Sequence, residues 1–295
     1  MTTFHSGEIE VQERAGVRDM AQRVGRSIGQ EIPPAAQEFL HAQPFVILGG
    51  ADENGRVWAS LLSGEAGFAH ALDQHTLRIE ALPNEGDPLR AMGDGSPAGL
   101  LAIEPATRRR MRLNGTVQRE GEGLLIHAQQ VYGNCPKYIQ KRSAYAAGAP
   151  ASSRAARSET LSAGQRAQIE GADTFFIASL APEGGADASH RGGHPGFVRV
   201  EDERRLIFPD YAGNAMFQTL GNLQLNPRAG VLFVDFKGGT TLQLSGVARV
   251  NWDSAALRDF AGAGRVVEFS IEAVVAIENA TSWRWELLEP SPFNP

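Results

Sequence analysis

The 295-residue chain carries a formal net charge of -6, so no global field draws it to nucleic acid or to an anionic membrane. Its 42% hydrophobic content suits a packed core, yet no apolar run approaches the ~20 residues that a membrane-spanning helix needs. Cys135 is the sole cysteine, which excludes an intrachain disulfide, and the opening Met1–Glu8 shows no signal-peptide pattern, so the chain reads as a cytoplasmic protein.

Residues 1–32 have no counterpart later in the chain and read as an arm packed across it. A short helix is predicted over Pro34-Ala-Ala-Gln-Glu-Phe-Leu, followed by apolar and β-branched runs broken by Gly, Asn and Asp turns, the pattern of strands in a barrel. Phe45-Val-Ile-Leu leads into the turn Ala51-Asp-Glu-Asn-Gly-Arg, after which come Ala59-Ser60, Gly67-Phe68, Leu77, Ala98-Gly-Leu-Leu and Leu113-Asn-Gly-Thr-Val. The stretch from Ala144 to Ser158 is rich in Ala, Ser and Gly and reads as a linker. It places a domain boundary near residue 150.

The same signals then return in the same order. Ser162 is the predicted N-cap of a helix, Phe175-Phe-Ile-Ala leads into the turn Ala181-Pro-Glu-Gly-Gly, and Ala188-Ser189, Gly196-Phe197 and Leu206 recur at an offset of 129. Ala229-Gly-Val-Leu and Leu244-Ser-Gly-Val-Ala recur at 131. A period this long marks a repeated domain and not a solenoid unit, which divides the chain into residues 1–150 and 151–295. A helix is predicted from Asn214 to Leu225, stopped by Asn226-Pro227.

Three places could carry chemistry. Arg108, Arg110 and Arg112 alternate along a predicted strand and share one face, with Met111 and Leu113 on the other. They form either a solvated, salt-bridged face or part of a phosphate or substrate-anion site between the two repeats. Asp187-Ala-Ser-His-Arg-Gly-Gly-His pairs a hydroxyl with a guanidinium at strand spacing in Ser189 and Arg191, followed by glycines that admit close approach, and reads either as a phosphate grip or as a polar hairpin. His190 and His194 flank two glycines and lack a third ligand, so no metal is expected. The loop Phe208-Pro-Asp-Tyr-Ala-Gly-Asn214 opens a predicted helix, where an anion would meet free N–H groups, although Asn214 could serve only as the helix cap. Cys135 reads as a structural cysteine at a helix start, since no His–Asp pair accompanies it as for a nucleophile. Rossmann, P-loop and nucleophile-elbow motifs are absent.

Asp187-Ala-Ser-His-Arg-Gly-Gly-His-Pro-Gly-Phe-Val-Arg-Val, with Leu206-Ile-Phe-Pro-Asp-Tyr-Ala-Gly-Asn and Leu220-Gly-Asn-Leu-Gln-Leu-Asn-Pro-Arg-Ala-Gly-Val-Leu-Phe, resembles the pyridoxine 5'-phosphate oxidase-like FMN-binding proteins. The second repeat matches from about Phe175 to Val250 and the first, more weakly, from about Phe45 to Val117. The resemblance implies a mainly β, α+β protein of two tandem six-stranded split β-barrels forming an intrachain pseudo-dimer. It further implies an FMN phosphate and ribityl site at Ser189, Arg191 and Gly192, then Asp210, Tyr211, Gly213 and Asn214, with Asn222 further along the helix. The face of Arg108, Arg110 and Arg112, Arg110 and Arg112 above all, would add positive charge to it from the first repeat. The family's oxidases carry an Arg-Lys pair where this chain has Gly213-Asn214-Ala215, so pyridoxine phosphate itself is not the expected substrate.

The leading expectation is an FMN-dependent oxidoreductase with one surviving flavin site, acting on a small-molecule substrate or an electron-transfer partner. Nucleic acid, membrane and metal are not expected, and a homodimer of whole chains is compatible with the reading. The alternative is a non-catalytic flavin- or tetrapyrrole-binding carrier, sensor or electron-transfer module.

Overall fold

The computed structural model describes residues 3–148, 152–182 and 185–295. Three helices lead the chain: α1 (Ser6–Arg14), α2 (Arg18–Gly25) and α3 (Pro34–His41). The first sheet follows, built from β1 (Phe45–Ala51), β2 (Val57–Ser63), β3 (Ala69–Ala71), β4 (Thr76–Ile79), β5 (Pro97–Glu104), β6 (Arg109–Glu120) and β7 (Gly123–Gly133). Its strand order is β2-β1-β5-β6-β7-β4-β3.

β8 (Lys141–Ala146) and β9 (Arg154–Ser158) come next, then α4 (Ala163–Glu170). The second sheet holds β10 (Thr174–Ala181), β11 (Gly185–Gly192), β12 (Arg199–Asp202), β13 (Arg205–Tyr211), β14 (Arg228–Val234), β15 (Thr241–Asn251) and β16 (Ala263–Glu278), with α5 (Gln218–Leu225) between β13 and β14. Its order, β11-β10-β14-β15-β16-β13-β12, repeats that of the first sheet, and β9 adds to it along β16. β17 (Trp283–Glu289) closes the chain by pairing with β8.

The mainly β, split-barrel architecture that the resemblance implies is present, and both sheets carry the same strand order. The register repeats as well: Leu100 faces Leu113 in the first sheet and Val231 faces Leu244 in the second. A bulge falls between Asn114 and Gly115 and again between Ser245 and Gly246. The shared strand order runs through seven strands, one more than six, the extra one being the short hairpin strand β3 or β12. Part of the stretch that reads as a linker is strand: β8 extends into it as far as Ala146, and Arg154–Ser158 forms β9 on an open edge of β16. The predicted boundary at 150 and the middle of the turn after Ala181 (183 and 184) lie outside the described residues.

β1 and β10 are buried on both faces, which explains their unbroken apolar runs. Val46 and Leu48 point into the first barrel, while Phe45 and Ile47 point to the shared core between the barrels. In the second barrel Phe175 and Ile177 point inward and Phe176 and Ala178 meet the first barrel. Each fully buried Phe, Ile or Leu at this seam contributes ~1.5–3 kcal/mol relative to exposure, so the barrels are far more stable together than apart.

The closest approach is reciprocal. A Cβ on Gly99 of β5 would sit 2.6 Å from the Asp187 backbone of β11, and a Cβ on Gly230 of β14 would sit 2.4 Å from the Trp58 backbone of β2. Each barrel thus uses a glycine to admit the other's strand. Helix α1 lies on the second barrel: its Glu8, Val11 and Gln12 are buried, with Val11 joining that barrel's core.

Candidate functional site between the barrels

On β6 the predicted alternation holds from Arg110 onward. Met111 and Leu113 pack in the first core, while Arg110 and Arg112 reach toward β11. Arg108 does not join them. The 3-10 turn Pro105–Thr107 leaves it left-handed (φ 56°), and its guanidinium donates to the carbonyls of Ile139 and Pro290, both at 3.0 Å.

Arg112 Nη1 donates to Asp187 Oδ1 at 2.9 Å and to Gln218 Oε1 at 3.1 Å. The second oxygen of Asp187 accepts from Ser189 at 3.1 Å and from Thr219 at 2.8 Å, so this buried carboxylate is fully coordinated. Arg191 Nη1 donates to Asp210 Oδ1 at 2.8 Å, and Arg265 approaches the other oxygen at 3.4 Å. The Arg265 guanidinium is held between the rings of Phe217 (4.7 Å) and Trp252 (4.5 Å).

Among the described residues Arg110 has no carboxylate partner. Its Nη1 donates to Nδ1 of His190 at 2.8 Å, so that nitrogen is the lone-pair nitrogen and His190 is neutral. Burial, followed by the fields of Arg110, Arg142, Arg191 and Arg112, holds His190 well below its ordinary pKa. Burial first, then Arg112 and Arg191, lowers Arg110 to about 9. An uncompensated cation of this kind favours a bound anion.

Two adjoining cavities open beside these groups. The inner one, about 70 Å³, is lined by Arg110, Arg112, Lys137 and Arg191 together with His190, Gly192, Tyr211, Gly213 and Asn214, and no Asp or Glu lies in its wall. The outer one, about 310 Å³, shares Arg112, Lys137, Arg191 and Tyr211 with it and adds Ser189 and Asp210, with Met20, Phe217 and Leu220 as an apolar side. The Nε atoms of Arg110, Arg112 and Arg191 are buried without hydrogen-bond partners. Gly192 is needed as glycine here: a Cβ would lie 2.1 Å from the carbonyl oxygen of Tyr138.

Nine of the ten predicted site residues, from Arg110 and Arg112 to Asn214, line one or both cavities. Asn222 does not. Its side-chain oxygen accepts from His5 Nε2 at 2.8 Å and its amide donates to Ser179 at 3.0 Å, which fastens α1 to α5 and β10. The predicted helix start at Asn214 also moves. Ala215 (φ 63°) and Phe217 (φ 60°) are left-handed, α5 begins only at Gln218, and Asn214 accepts from the Met216 N–H within the loop.

Lys137 and Tyr138 enter the site unannounced, from the loop between β7 and β8. Tyr138 donates to the carbonyl of Ala212 at 2.9 Å and lies 5.2 Å from the Tyr211 ring. Cys135 sits in this same loop, not at a helix start, and lines the inner cavity. Arg265, from β16, is likewise a later strand's contribution. Among the described residues no group of three His, Cys, Asp or Glu side chains is placed to hold a metal.

The equivalent place on the other side of the seam is closed. Gln243 donates to Ser60 Oγ and to Asp87 Oδ2, both at 2.9 Å, and all three side chains are buried. Burial pushes the Asp87 carboxyl up to about 6, against the hydrogen bonds from Ser60, the Leu89 N–H and Gln243. A 3-10 turn, Pro88–Ala91, stands where the second barrel has α5.

Known proteins place the second half of the chain. Residues 161–280 match the family described as pyridoxamine 5'-phosphate oxidase. No curated protein sequence matches the chain significantly. Similar solved structures include HupZ of Group A Streptococcus, at 15% identity and a TM-score of 0.33, covering 38% of this chain and 90% of that one. Another is a putative pyridoxamine 5'-phosphate oxidase from Lactobacillus delbrueckii, at 16% identity and a TM-score of 0.33, covering 40% and 94%. A third is the FAD binding protein from Mycobacterium smegmatis, at 15% identity and a TM-score of 0.30, covering 40% and 97%. Among the described residues no helix is long and apolar enough to cross a membrane. The match of residues 161–280, the second barrel, to the pyridoxamine 5'-phosphate oxidase family agrees with the resemblance read from the sequence.

Proposed function

We infer that the cleft between the barrels binds FMN and that the protein is an FMN-dependent oxidoreductase. The observation that carries this reading is the inner cavity, into which Arg110, Arg112, Lys137 and Arg191 converge without a carboxylate in the wall. A phosphate monoester is the dianion that such a cavity suits, and the unpartnered Nε atoms of Arg112 and Arg191 supply donors for it. Arg191 and Arg112 are pre-positioned by Asp210 and Asp187, so little ordering is lost when the anion arrives.

The outer cavity adds an apolar side at Met20, Phe217 and Leu220, which excludes water from a ring system, and a rim of loop residues at Tyr211, Gly213 and Asn214. When bound, the flavin supplies the hydride or electron chemistry; the protein holds, orients and desolvates it. Family membership of residues 161–280 supports the same reading.

Titration of the purified protein with FMN and with riboflavin, followed by flavin fluorescence, tests it. FMN is expected to bind at least ~30-fold more tightly, since riboflavin lacks the group that the arginines address. Equal affinities, or no binding of either, would overturn the assignment. A bound flavin that no donor reduces and no acceptor reoxidises would instead point to a carrier or sensor.

A further inference from the structure

A larger cavity lies apart from this cleft, an open groove of about 950 Å³ on the first barrel. One wall is α3 with the turn before it, where Pro33, Ala35, Ala36 and Phe39 face the groove; Met111 of β6 and Val131 of β7 form the other. This is an apolar trough wide enough for a small organic molecule.

Its inner end is polar and unsatisfied. Arg110 and Asn134 belong to the walls of both the groove and the cationic cavity. Their backbones are joined by the Asn134 N–H donating to the Arg110 carbonyl at 3.2 Å. The Nε of Arg110 and both side-chain amide atoms of Asn134 are buried with no hydrogen-bond partner. Leaving such groups unpaired costs ~1–3 kcal/mol each, so a ligand that pairs them gains that much over one that does not. The neighbouring cations are already engaged. Arg109 donates to Glu104 at 2.8 Å, and Arg108 is turned to backbone carbonyls. Arg110 Nε is the buried arginine donor of this wall that stays without a partner among the described residues.

We propose that this groove binds an apolar monocarboxylate, its aryl or alkyl body along α3 and its carboxylate accepting from Arg110 Nε and the Asn134 amide. The groove shares Arg110 with the adjoining cleft but uses its Nε, while Nη1 is taken by His190, so binding in the groove does not require a flavin in the cleft. A neutral molecule of the same shape would fill the trough and leave the buried donors unpaired. A polyanion would lack partners along the apolar walls.

The test uses the full chain and two probe acids, 2-naphthoate and decanoate, with 2-naphthalenemethanol as the neutral control, followed by fluorescence and calorimetry. At least one acid is expected to bind saturably at one site, and the alcohol at least ~10-fold more weakly than naphthoate. Ala35, exposed on α3, tolerates a bulky replacement. Ala35→Trp should plug the groove and weaken the acid at least ~10-fold while leaving the melting temperature and FMN affinity unchanged. Ser27→Trp, at another exposed position of the wall, serves as an independent plug should Ala35→Trp fail to fold. Neither acid binding saturably, alcohol and naphthoate binding alike, or plugged variants binding as the parent does would each overturn the proposal. Acid binding without FMN binding would retain this site and remove the flavin reading. The converse would remove this site alone.

Discussion

Arg112 donates to Gln218 at 3.1 Å, and at the same place on the other side of the seam Gln243 donates to Asp87 at 2.9 Å. The two contacts are one contact made twice, since Arg112 and Gln243, like Asp87 and Gln218, stand 131 residues apart. What differs is the charge. One side holds a guanidinium beside a neutral amide and leaves an open, cationic cleft; the other holds an amide against a buried carboxyl and is shut.

Arg112→Ala should therefore cost more stability than a surface arginine would. Asp187, buried beside it, would lose its cation, and breaking a buried pair from one side costs ~3–5 kcal/mol. Denaturant unfolding should register most of that loss, and adding Asp187→Asn should recover part of it. A loss below ~1 kcal/mol would show that the pair is solvated.

Gly230→Ala tests the seam itself. The new methyl would meet the Trp58 backbone at 2.4 Å, which only a shift of a whole strand can relieve. The expected loss is about 3 kcal/mol in the unfolding free energy, at the upper end for overpacking. A variant as stable as the parent would mean that the barrels separate easily.

Stability should fall as pH rises from about 4.5 to about 8. Burial, opposed by the His5 N–H and reinforced by Asp187, raises the Glu8 carboxyl from its ordinary 4.5 to about 8. Across that window the folded chain holds a proton that the unfolded chain has released, so folding weakens as protons become scarce. Asp87, raised to about 6, adds a slope of the same sign at the acid end. Glu8→Gln should flatten the portion between about pH 6 and about pH 8, a difference on the order of 2 kcal/mol in thermal or denaturant unfolding. An unchanged slope in this variant would exonerate Glu8.

Arg191→Ala should lower FMN affinity ~10–100-fold and leave riboflavin affinity within ~3-fold, because the lost contact is to the phosphate. Parallel losses for the two ligands would mean that Arg191 acts by holding Asp210 and the loop, not by touching the anion. Arg265→Ala separates these roles, since it approaches the same Asp210 oxygen pair from the other side.

Much of the fold is legible in the chain alone. Phe45–Leu48 and Phe175–Ala178 declare strands by their apolar runs, Ser162 caps α4 as predicted with Gln165 completing a capping box, and the repeat at 129 to 131 foretells two sheets of equal order. The alternation of Arg110 and Met111 also holds, because a strand's period of two leaves no other choice. Arg108 departs from it at a turn that the alternation could not register. Asn214 is not the helix start because two left-handed residues, neither of them glycine, delay α5.

The local periods, the repeat, and the polar residues on the strand and loop that border the cleft follow from spacing along one chain and can be read there. Packing of distant segments takes Asn222 to α1 and brings Lys137, Tyr138 and Arg265 to the same cleft as Arg191. It also decided that Ser60 and Asp87 close the other side around Gln243. The reason is physical. Local order depends on neighbours a few residues apart, whereas a cavity and its net charge depend on which distant side chains burial forces together, and on which of them find partners there.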